Sequence, residues 1–415
     1  MGTDRELDIV VYGATGYTGA LVADYMNQRY GADGELRWAI AGRSLEKLQG
    51  LRDELSLPAG VELVQADASD PASLEAMVRR ARVILTTVGP YQLYGGALVA
   101  ACAAHGTGYV DLCGEPTWMQ QMIEQHSDTA AASGARIVFS CGFDSIPFDL
   151  GVYYLQGIAK ERFGKPLHRI RGRVRGLQGT WSGGTLASFR ATMAAAAEDP
   201  SLLAALQDPF ALTPGFTGAE QPNGFKPAFD QVMDSWVAPF VMATINTKNI
   251  HRSNLLLGHP YGENFRYDEM LLTGPGEQGE TMAKAVAADT SMATDTTAPG
   301  DGPTREQREN GFYDLLFVGN TDVDDFLTVN VKGDMDPGYG STSKMMSEAA
   351  VCLALNPDLA SGGFWTPASA MGSALIERLQ ANAGLSFELE NSYNATLRNC
   401  RQRRQSTHVP IHFRT

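Results

Sequence analysis

The chain has 415 residues, of which 44% are hydrophobic and 19% charged, so a mainly disordered, collagen-like or coiled-coil protein is excluded and two or three folded domains are expected. The formal net charge of −14 disfavours nucleic acids and anionic membranes as partners. Five cysteines without a CxxC pair or a histidine at zinc-ligand spacing predict neither a disulfide framework nor a metal site.

The sequence carries no signature of export or membrane insertion. It begins without a basic segment followed by an apolar run and a cleavage site, and its apolar run at 97–104 is far shorter than the roughly 20 residues of a membrane helix. We therefore expect a cytoplasmic protein with no integral membrane segment. Residues 391–415, with five arginines and no acidic residue, are predicted to be a basic C-terminal tail without an assigned function.

The first 150 residues alternate short β-rich apolar runs with helical patterns, as a parallel sheet with crossover helices requires. Strands are predicted at 8–12, 37–41, 61–65, 83–87, 108–112 and 136–140, and helices at 16–30, 45–55, 71–79, 95–105 and 116–133. Six strands with five crossovers make a complete Rossmann doubly wound parallel sheet, so residues 1–150 are predicted to be an NAD(P)-binding domain of an α/β protein.

From about residue 151 the alternation ends, and residues 151–390 are predicted to form a second, α+β domain on a mixed β-sheet. Strand-like runs lie at 168–178, 237–246, 252–258, 313–319 and 325–333, and loops at 206–230 and 286–304. Helices are predicted at 151–163, 188–205, 341–355 and 366–383. The last of these begins with Thr366 as N-cap before Pro367 at the first helical position.

A glycine-rich turn lies between the first predicted strand and the first predicted helix. It reads Gly13-Ala14-Thr15-Gly16-Tyr17-Thr18-Gly19. Gly13 permits a tight turn, Gly16 lets a pyrophosphate approach the N–H groups at the positive helix end, and Gly19 lets helix and strand pack closely. In this strand–turn–helix context, the motif predicts dinucleotide binding.

The end of the second predicted strand bears on which dinucleotide is bound. An NAD enzyme usually has an acidic residue there, whereas this chain has Arg43 and Ser44, with Lys47 one helical turn further on. These side chains suit a 2′-phosphate, so NADP is predicted in preference to NAD; the alternative is that Arg43 is an ordinary surface residue. Asp67, after the third strand, either accepts from the adenine amino group or caps the helix near Pro71.

Three further turns should line the same crevice, because the carboxyl ends of parallel strands meet at one edge of the sheet. The predicted cofactor-binding residues in these turns are Gly89, Pro90, Tyr91, Cys141, Gly142 and Phe143. The candidates for a direct chemical role are Tyr91, Glu115, Asp144 and Ser145. The alternatives are that Glu115 and Asp149 cap the helices beside them and that Cys113 and Cys141 are small buried fillers.

Several common active-site motifs are absent from the sequence. No tyrosine is followed by lysine four positions later, which excludes the ordinary short-chain dehydrogenase mechanism. GxSxG, HExxH and GxxxxGK[ST] are also missing. Hydride transfer remains, because the cofactor carries that chemistry and the protein needs only to orient it, exclude water and supply a proton.

The sequences GATGYTG, AGRS, TTVGPY, YVDLCGE and CGFDSIPFDLG, in this order, resemble those of the saccharopine dehydrogenase-like oxidoreductases and specifically their trans-acting enoyl reductase branch. Residues 181–188, 236–254, 337–350 and 362–379 resemble second-domain motifs of the same branch. The resemblance therefore covers about residues 8–390, and the basic tail departs from it.

The resemblance implies an NADP-dependent reductase in which the second domain binds substrate and often mediates dimerisation. The glycine turn would bind the diphosphate, Arg43 and Ser44 the adenosine end, Gly89 and Pro90 the ribose, and the turn at 141–147 the nicotinamide edge. In the enoyl reductase branch, the implied substrates are lipid-like acyl chains on a carrier. True saccharopine dehydrogenases handle amino acids joined through a secondary amine.

Three hypotheses follow: reduction of a C=C or C=O bond of a hydrophobic, acyl-type substrate, an opine-type C–N reaction, or dinucleotide binding without turnover. In the two hypotheses in which the protein is an enzyme, Tyr91 and Ser145 are neutral donors that could orient or protonate the developing anion. An amino-dicarboxylate substrate would need several cationic side chains. The second domain offers Arg190, Lys248, Arg252 and Lys344, and its apolar segments at 236–242 and 345–346 would suit a hydrophobic substrate.

Overall fold

The structure is a computed structural model that describes residues 5–31, 34, 36–180, 183–199, 201–298, 300–321 and 326–390, so the basic tail lies outside it. Its strands are β1 Leu7–Tyr12, β2 Trp38–Gly42, β3 Glu62–Gln65, β4 Ala81–Thr86, β5 Gly108–Val110, β6 Arg136–Val138, β7 Arg169–Gln178, β8 Ala228–Asp230, β9 Ser235–Pro239, β10 Arg266–Gly274, β11 Phe312–Asn320, β12 Phe326–Gly333, β13 Gly363–Trp365 and β14 Leu385–Leu389.

The helices follow the same numbering along the chain. They are α1 Tyr17–Tyr30, α2 Leu45–Glu54, α3 Pro71–Arg80, α4 Tyr91–Tyr94, α5 Gly96–His105, α6 Pro116–Ser133, α7 Ile146–Phe163, α8 Gly183–Glu198, α9 Ser201–Gln207, α10 Ala243–Leu256, α11 Gly276–Ala287, α12 Ser291–Thr294, α13 Arg305–Glu309, α14 Thr342–Leu355 and α15 Pro367–Asn382. A π-helical turn at Pro337–Ser341 leads directly into α14.

The first sheet is the predicted Rossmann sheet. Its strand order is β13-β6-β5-β4-β1-β2-β3, and every pair of neighbours is parallel. Apart from Asp8, the residues of β1 and β2 are apolar or glycine, and both strands are buried along their whole length, as strands covered by helices on two faces must be. The prediction of a doubly wound parallel sheet is therefore confirmed, with all six predicted strands present.

The seventh strand, β13, is not predicted from the sequence. It comes from residues 363–365, beyond the second sheet, and pairs with β6 at the sheet edge. Of the two helices around it, α14 also packs on the first-domain elements α1, β4 and β5, whereas α15 packs against α7. Three residues are too few to show a period of two, so local pattern gives no signal for this strand.

The second sheet is mixed, as predicted. Its order is β14-β12-β11-β7-β10-β9-β8; β7 and β10 are parallel, and the other neighbours are antiparallel. Helices α7 and α10 pack against it. Because α7 begins directly after the turn that follows β6, the same helix joins the two sheets and places the Rossmann edge beside the second domain.

Two strand predictions in the second domain are wrong. The run at 252–258 lies mostly in helix α10, and the strand predicted at 237–246 ends at Pro239. Helix α10 is buried on most sides and carries polar residues such as Asn246 and Arg252 inside, so its apolar positions do not follow a helical period. Among the described residues, no helix is long and apolar enough to cross a membrane.

The basic strand β7 directs alternate side chains to one face of the second sheet. Arg173 is 3% exposed and pairs with Asp230 at 2.7 Å and with Asp268 at 2.9 Å. Arg175 pairs with Asp314 at 2.9 Å. These buried and half-buried guanidinium groups are held by carboxylates of the sheet itself, so the positive charge of this strand is structural.

Candidate active site and cofactor crevice

The glycine turn after β1 is built so that only glycine fits at two of its positions. Gly13 has φ +89°, and a Cβ on it would lie 2.7 Å from the side chain of Val88. A Cβ on Gly19 would overlap the carbonyl oxygen of Gly13. Gly16 is the N-cap of α1, where no side chain caps the helix and the first turn has no acidic residue. The N–H groups there suit an anionic diphosphate.

Tyr17, the first residue of α1, points its side chain toward the second domain. Its hydroxyl donates to the carbonyl oxygen of Pro303 and accepts from Nη1 of Arg308 at 2.7 Å. Its ring packs edge-on against Tyr339, with centroids 5.2 Å apart. The Tyr17 side chain therefore joins the crevice to the second domain, and the cofactor contact of this residue stays a prediction for its backbone N–H.

At the end of β2, the predicted 2′-phosphate residues are accessible. Arg43 and Lys47 are exposed, and neither side chain makes a hydrogen bond or ion pair with a residue that the structure describes. Ser44 is the N-cap of α2 and accepts from the Lys47 N–H at 3.2 Å, which leaves its hydroxyl proton for a further acceptor. The cluster has two cations and a hydroxyl donor within five residues.

Asp67 lies after β3 and does not cap the next helix. Its Oδ1 accepts from the N–H and the hydroxyl of Ser69 at 2.9 and 2.8 Å, and these hydrogen bonds lower its pKa. Asp70 is the N-cap of α3 and accepts from the Ala72 N–H at 3.1 Å. The capping alternative for Asp67 is thus wrong, and its role toward adenine stays a prediction.

The turn after β4 lies against the glycine turn. The hydroxyl of Thr87 donates to the carbonyl oxygen of Gly13 at 3.2 Å, and Gly89 and Pro90 follow through a cis peptide bond. Helix α4 then begins at Tyr91, and its N-terminal N–H groups donate to the buried carboxylate of Glu115 at 2.9 and 2.8 Å. Glu115 is therefore a helix cap, but of α4 rather than of α6.

Tyr91 is buried under the crevice. Its ring packs on Trp118, with centroids 5.7 Å apart, and its hydroxyl donates to the Thr86 carbonyl oxygen at 3.2 Å and accepts from the Leu112 N–H at 3.4 Å. Burial raises its pKa well above the usual value. The hydroxyl thus connects the ends of β4 and β5.

The turn after β6 brings three predicted residues to one cavity between the two domains. Gly142, Phe143 and Asp144 line it, while Cys141 is buried behind them. The Phe143 N–H donates to the hydroxyl of Thr342 at 3.0 Å, which fixes this turn to the first residue of α14. The cavity therefore lies where the predicted nicotinamide edge meets the second domain.

The cavity, called here the apolar cavity, has a volume of about 590 Å³ including its open part. Its walls come from both domains and are mainly aliphatic and aromatic. They consist of Leu112, Gly142, Phe143, Asp144, Leu177, Gly179, Thr180, Thr185, Phe240, Met242, Pro337, Gly338, Tyr339 and Thr342. No lysine or arginine is among these described residues, so a hydrophobic substrate fits better than a dicarboxylate.

Asp144 is an acidic residue in the otherwise uncharged wall that the described residues form around the apolar cavity. Its carboxylate makes no hydrogen bond or ion pair within the described ranges of the chain, and burial raises its pKa to about 6. A carboxyl group with this pKa is partly protonated near neutral pH and can donate a proton to a bound molecule. The structure thus places one predicted chemical residue at the cavity surface.

Ser145 is held away from the cavity surface. It is 1% exposed, its hydroxyl donates to the Asp144 carbonyl oxygen at 2.7 Å, and the side chain of Asn249 donates to the same hydroxyl at 2.7 Å. Asp149, the neighbouring capping candidate, lies inside α7 and accepts from the Ala368 N–H at 2.8 Å. It therefore caps α15 rather than its own helix.

The four cationic candidates of the second domain do not line the apolar cavity. Arg190, Lys248 and Arg252 donate to main-chain carbonyl groups, and Lys344 lines a separate cavity beside α1. Burial lowers the pKa of Lys248 to about 8 and that of Arg252 to about 10. No group of histidine, cysteine and acidic side chains in the described part of the chain is arranged to hold a metal ion.

Sequence reasoning identified only part of what the second domain supplies to the cavity. Phe240 and Met242 belong to the apolar segment 236–242, for which the sequence indicates a hydrophobic substrate. Tyr339, in the π-helical turn before α14, is not among the predicted residues. The glycine-rich sequence at 337–342 was the available signal, since a tight turn before a helix is typical of a site where backbone approaches a ligand. Nothing local indicates that this turn faces the end of β6.

The fold and the crevice define a Rossmann-type dinucleotide-binding protein with a cavity between two domains. Residues 9–138 match the family model described as the saccharopine dehydrogenase NADP binding domain. The chain is 40% identical, over 93% of its length and 98% of the relative's, to a Mycobacterium tuberculosis protein provisionally named a trans-acting enoyl reductase. It is 38% identical, over 90% and 96% of the two chains, to the trans-acting enoyl reductase of Mycobacterium ulcerans.

The chain belongs to the trans-acting enoyl reductase branch of the saccharopine dehydrogenase-like oxidoreductases. Its fold resembles apo saccharopine dehydrogenase (L-Glu forming) from Saccharomyces cerevisiae, with a TM-score of 0.54 and 12% identity over 92% of this chain and 99% of that one. The protein is an NAD(P)-dependent oxidoreductase, and the predicted cofactor, NADP, is confirmed by the family. The N-terminus of α1, which no described side chain caps, and the accessible Arg43 and Lys47 fit that cofactor.

Proposed function

We propose that this oxidoreductase uses NADPH to reduce a C=C or C=O bond of a hydrophobic, acyl-type substrate. The observation that carries the proposal is the apolar cavity, which begins at the turn after β6 and contains one unpartnered carboxyl group among the described residues. An aliphatic chain gains free energy by leaving water for such a cavity, at about 25 cal/mol per Å² of apolar surface buried. The relatives are named enoyl reductases, which supports a C=C substrate.

In this proposal the Rossmann domain binds NADPH through groups at the carboxyl edge of the sheet. Bound NADPH supplies a hydride. The N–H groups of Thr15, Tyr17 and Thr18 bind the diphosphate, and the 2′-phosphate lies among the side chains of residues 43–47. Gly89 and Pro90 contact the ribose, Asp67 the adenine, and the turn at 141–143 the nicotinamide edge.

Asp144 is the proposed proton donor. Hydride addition to one carbon of an enoyl group leaves negative charge on the other carbon and on the acyl oxygen, so the substrate must then accept a proton. The Asp144 carboxyl faces the cavity, and burial raises its pKa to about 6, which keeps part of the population protonated at neutral pH. The apolar walls exclude water as a competing donor.

Tyr91 and Ser145 have a different part in this proposal. Both hydroxyls are buried and already hydrogen-bonded to protein groups, Tyr91 to the main chain and Ser145 to Asp144 and Asn249. We assign them to positioning the turns that line the cavity, and their direct protonation of substrate is the weaker reading. The absence of cations from the described cavity wall supports an acyl substrate over an opine-type one.

The test is the rate of NADPH oxidation with enoyl and keto thioesters of increasing chain length, at saturating cofactor. Amino acids paired with keto acids serve as the opine-type comparison, and NADH replaces NADPH as the cofactor control. We expect turnover with thioesters and a KM that falls as the acyl chain lengthens. Turnover with the amino acid pairs alone would overturn the acyl assignment.

A further inference from the structure

A buried hydrogen-bond chain connects the second domain to the turn that carries Asp144. Asn246 of α10 donates through Nδ2 to Oε1 of Glu269 on β10 at 2.7 Å, and its Oδ1 lies 3.3 Å from the Ser145 hydroxyl. Asn249, one turn along α10, donates to the same hydroxyl at 2.7 Å. All four side chains are 1% exposed, so the chain is shielded from solvent.

Within this hydrogen-bond chain, Ser145 does not make the capping hydrogen bond that a serine at the start of a helix usually makes. Ser145 is the N-cap of α7, where a serine oxygen usually accepts from an N–H of the first helical turn. Here the side chain makes no such hydrogen bond. Its hydroxyl donates instead to the Asp144 carbonyl oxygen at 2.7 Å. The serine therefore fixes the Asp144 peptide rather than its own helix.

At its second-domain end, the hydrogen-bond chain is also fixed by buried side chains. Glu269 accepts from Asn246 through one oxygen and from the Tyr267 hydroxyl through the other at 2.8 Å. Asn249 Oδ1 is buried without a partner in the part of the chain that the structure describes, although its Nδ2 reaches Ser145. Buried polar atoms are rarely left without a hydrogen bond, so the orientation of Asn249 is set by the contact with Ser145.

We propose that Asn246, Asn249 and Glu269 are positioning residues that act through Ser145 to hold the Asp144 carboxyl in the apolar cavity. This inference rests on the proposed function, in which Asp144 donates the proton. When the asparagine contacts are removed, the Asp144 peptide is free to rotate and its carboxyl turns toward solvent. Misplacement of a reacting group by 1 Å lowers the rate by about 100-fold.

The kinetic test compares three alanine variants on the same helix. Asn246→Ala and Asn249→Ala remove the contacts to Ser145. Asn254→Ala is the matched control, because Asn254 is also buried in α10 but its side chain, among the described residues, bonds to Gly262 and Tyr261, each at 2.9 Å, and not to Ser145. We expect the first two variants to lose about 100-fold in kcat with little change in the Kd of NADPH, and the control to lose thermal stability but keep its kcat.

The replacement of Glu269 separates positioning from folding. Glu269→Gln keeps an oxygen that accepts from Asn246, whereas Glu269→Leu removes both acceptors. We expect the glutamine variant to retain most of the kcat and the leucine variant to lose it. If kcat falls in all five variants in proportion to the loss of thermal stability, the residues are merely structural and the inference is wrong.

A measurement without substrate distinguishes this inference from the proposed function. The pKa of the Asp144 carboxyl is followed by ¹³C NMR in protein labelled at aspartate and saturated with NADP, with Asp144→Asn to assign the signal. We expect Asn246→Ala and Asn249→Ala to lower this pKa by about one unit, because the carboxyl gains solvent, and Asn254→Ala to leave it unchanged.

The kinetic and NMR measurements distinguish failure of the proposed function from failure of the positioning role. If no thioester is reduced by the unaltered protein but the Asp144 pKa falls in the two alanine variants, the proposed function fails and the positioning role stands. If the unaltered protein reduces thioesters while both kcat and the Asp144 pKa stay unchanged in the variants, the positioning role is overturned and the proposed function stands.

Discussion

The adenosine end of the cofactor crevice and the apolar cavity present their charged groups in opposite ways. At the adenosine end, Arg43 and Lys47 are exposed, and their side chains make no hydrogen bond or ion pair with a described residue. At the cavity, Asp144 is half-buried, and burial raises its pKa to about 6. Around it Ser145 and Asn249 are fully buried and hydrogen-bonded to one another.

Because of this difference, we expect substitutions in one region to change cofactor affinity and substitutions in the other to change the reaction rate. Solvated cations attract a phosphate without changing their own protonation, so substitutions at the adenosine end should alter which cofactor binds and little else. A carboxyl group in a low-dielectric site has a proton affinity set by its surroundings, so substitutions at the cavity should alter the rate and its pH dependence. The predictions below test this separation from the largest effect to the smallest.

Asp144→Asn has the largest expected effect. The amide cannot donate a proton as a carboxylic acid does, so we expect kcat with an enoyl thioester to fall by about 100-fold to 10,000-fold while the Kd of NADPH stays unchanged. Stopped-flow oxidation of NADPH and fluorescence titration measure the two quantities. The control is Asp67→Asn, which changes a half-buried carboxylate at the cofactor end and should keep its kcat. Equal kcat values for Asp144→Asn and the unaltered protein would exclude the proton donor assigned here.

Arg43→Glu should change cofactor preference rather than the rate at saturation. Replacing a cation with an anion beside the 2′-phosphate should lower the preference for NADPH over NADH by about tenfold to 100-fold, the range of a lost charge-assisted hydrogen bond. Calorimetric titration with both cofactors measures the ratio. Arg52→Glu, on the last turn of α2, is the matched control for surface charge. An unchanged ratio in Arg43→Glu would contradict the assignment of the adenosine end.

The pH dependence of kcat follows from the direction of the Asp144 shift. Burial raises the pKa from 3.8 to about 6, so the carboxyl is protonated below pH 6 and ionised above it. Since the protonated form is the donor, kcat should fall as pH rises through about 6, by about tenfold per pH unit well above the pKa. In Asp144→Asn the same profile should be flat. A descending limb in that variant would assign the titration to another group.

The cofactor half of the site could be predicted from the sequence because its parts are local. Gly13, Gly16 and Gly19 stand in one turn between a strand and a helix, and Arg43 follows the next strand. Parallel strands align their carboxyl ends, so the separate motifs converge without any knowledge of side-chain packing. The pattern of the first 150 residues therefore predicts the doubly wound parallel sheet and its six strands, though not the seventh strand β13.

The cavity half depends on contacts between residues more than 100 positions apart. The turn at 142–145 is held by Thr342 of α14 and by Asn246 and Asn249 of α10. Helix α10 itself was predicted in part as a strand, because buried asparagines break the apolar period by which a helix is identified. Tertiary hydrogen bonds stabilise this helix, and no local pattern encodes them.

Tyr91→Phe has the smallest expected effect. It tests whether Tyr91 belongs to the structural support of the Rossmann domain or to the reacting part of the apolar cavity. The Tyr91 hydroxyl bonds to the main chain at Thr86 and Leu112, both inside the Rossmann domain. Its removal should cost about 1 kcal/mol of unfolding free energy, the usual value for one hydrogen bond, as measured by chemical denaturation.

The kcat of Tyr91→Phe should stay within about threefold of the unaltered protein, because the ring still packs on Trp118 and the Asp144 carboxyl keeps its surroundings. Trp118→Leu, which removes the packing partner and leaves the hydroxyl, is the comparison. A loss of about 100-fold in Tyr91→Phe with unchanged stability would show that the hydroxyl reaches the substrate, and the proton donor would then have to be sought beside β4 rather than beside β6.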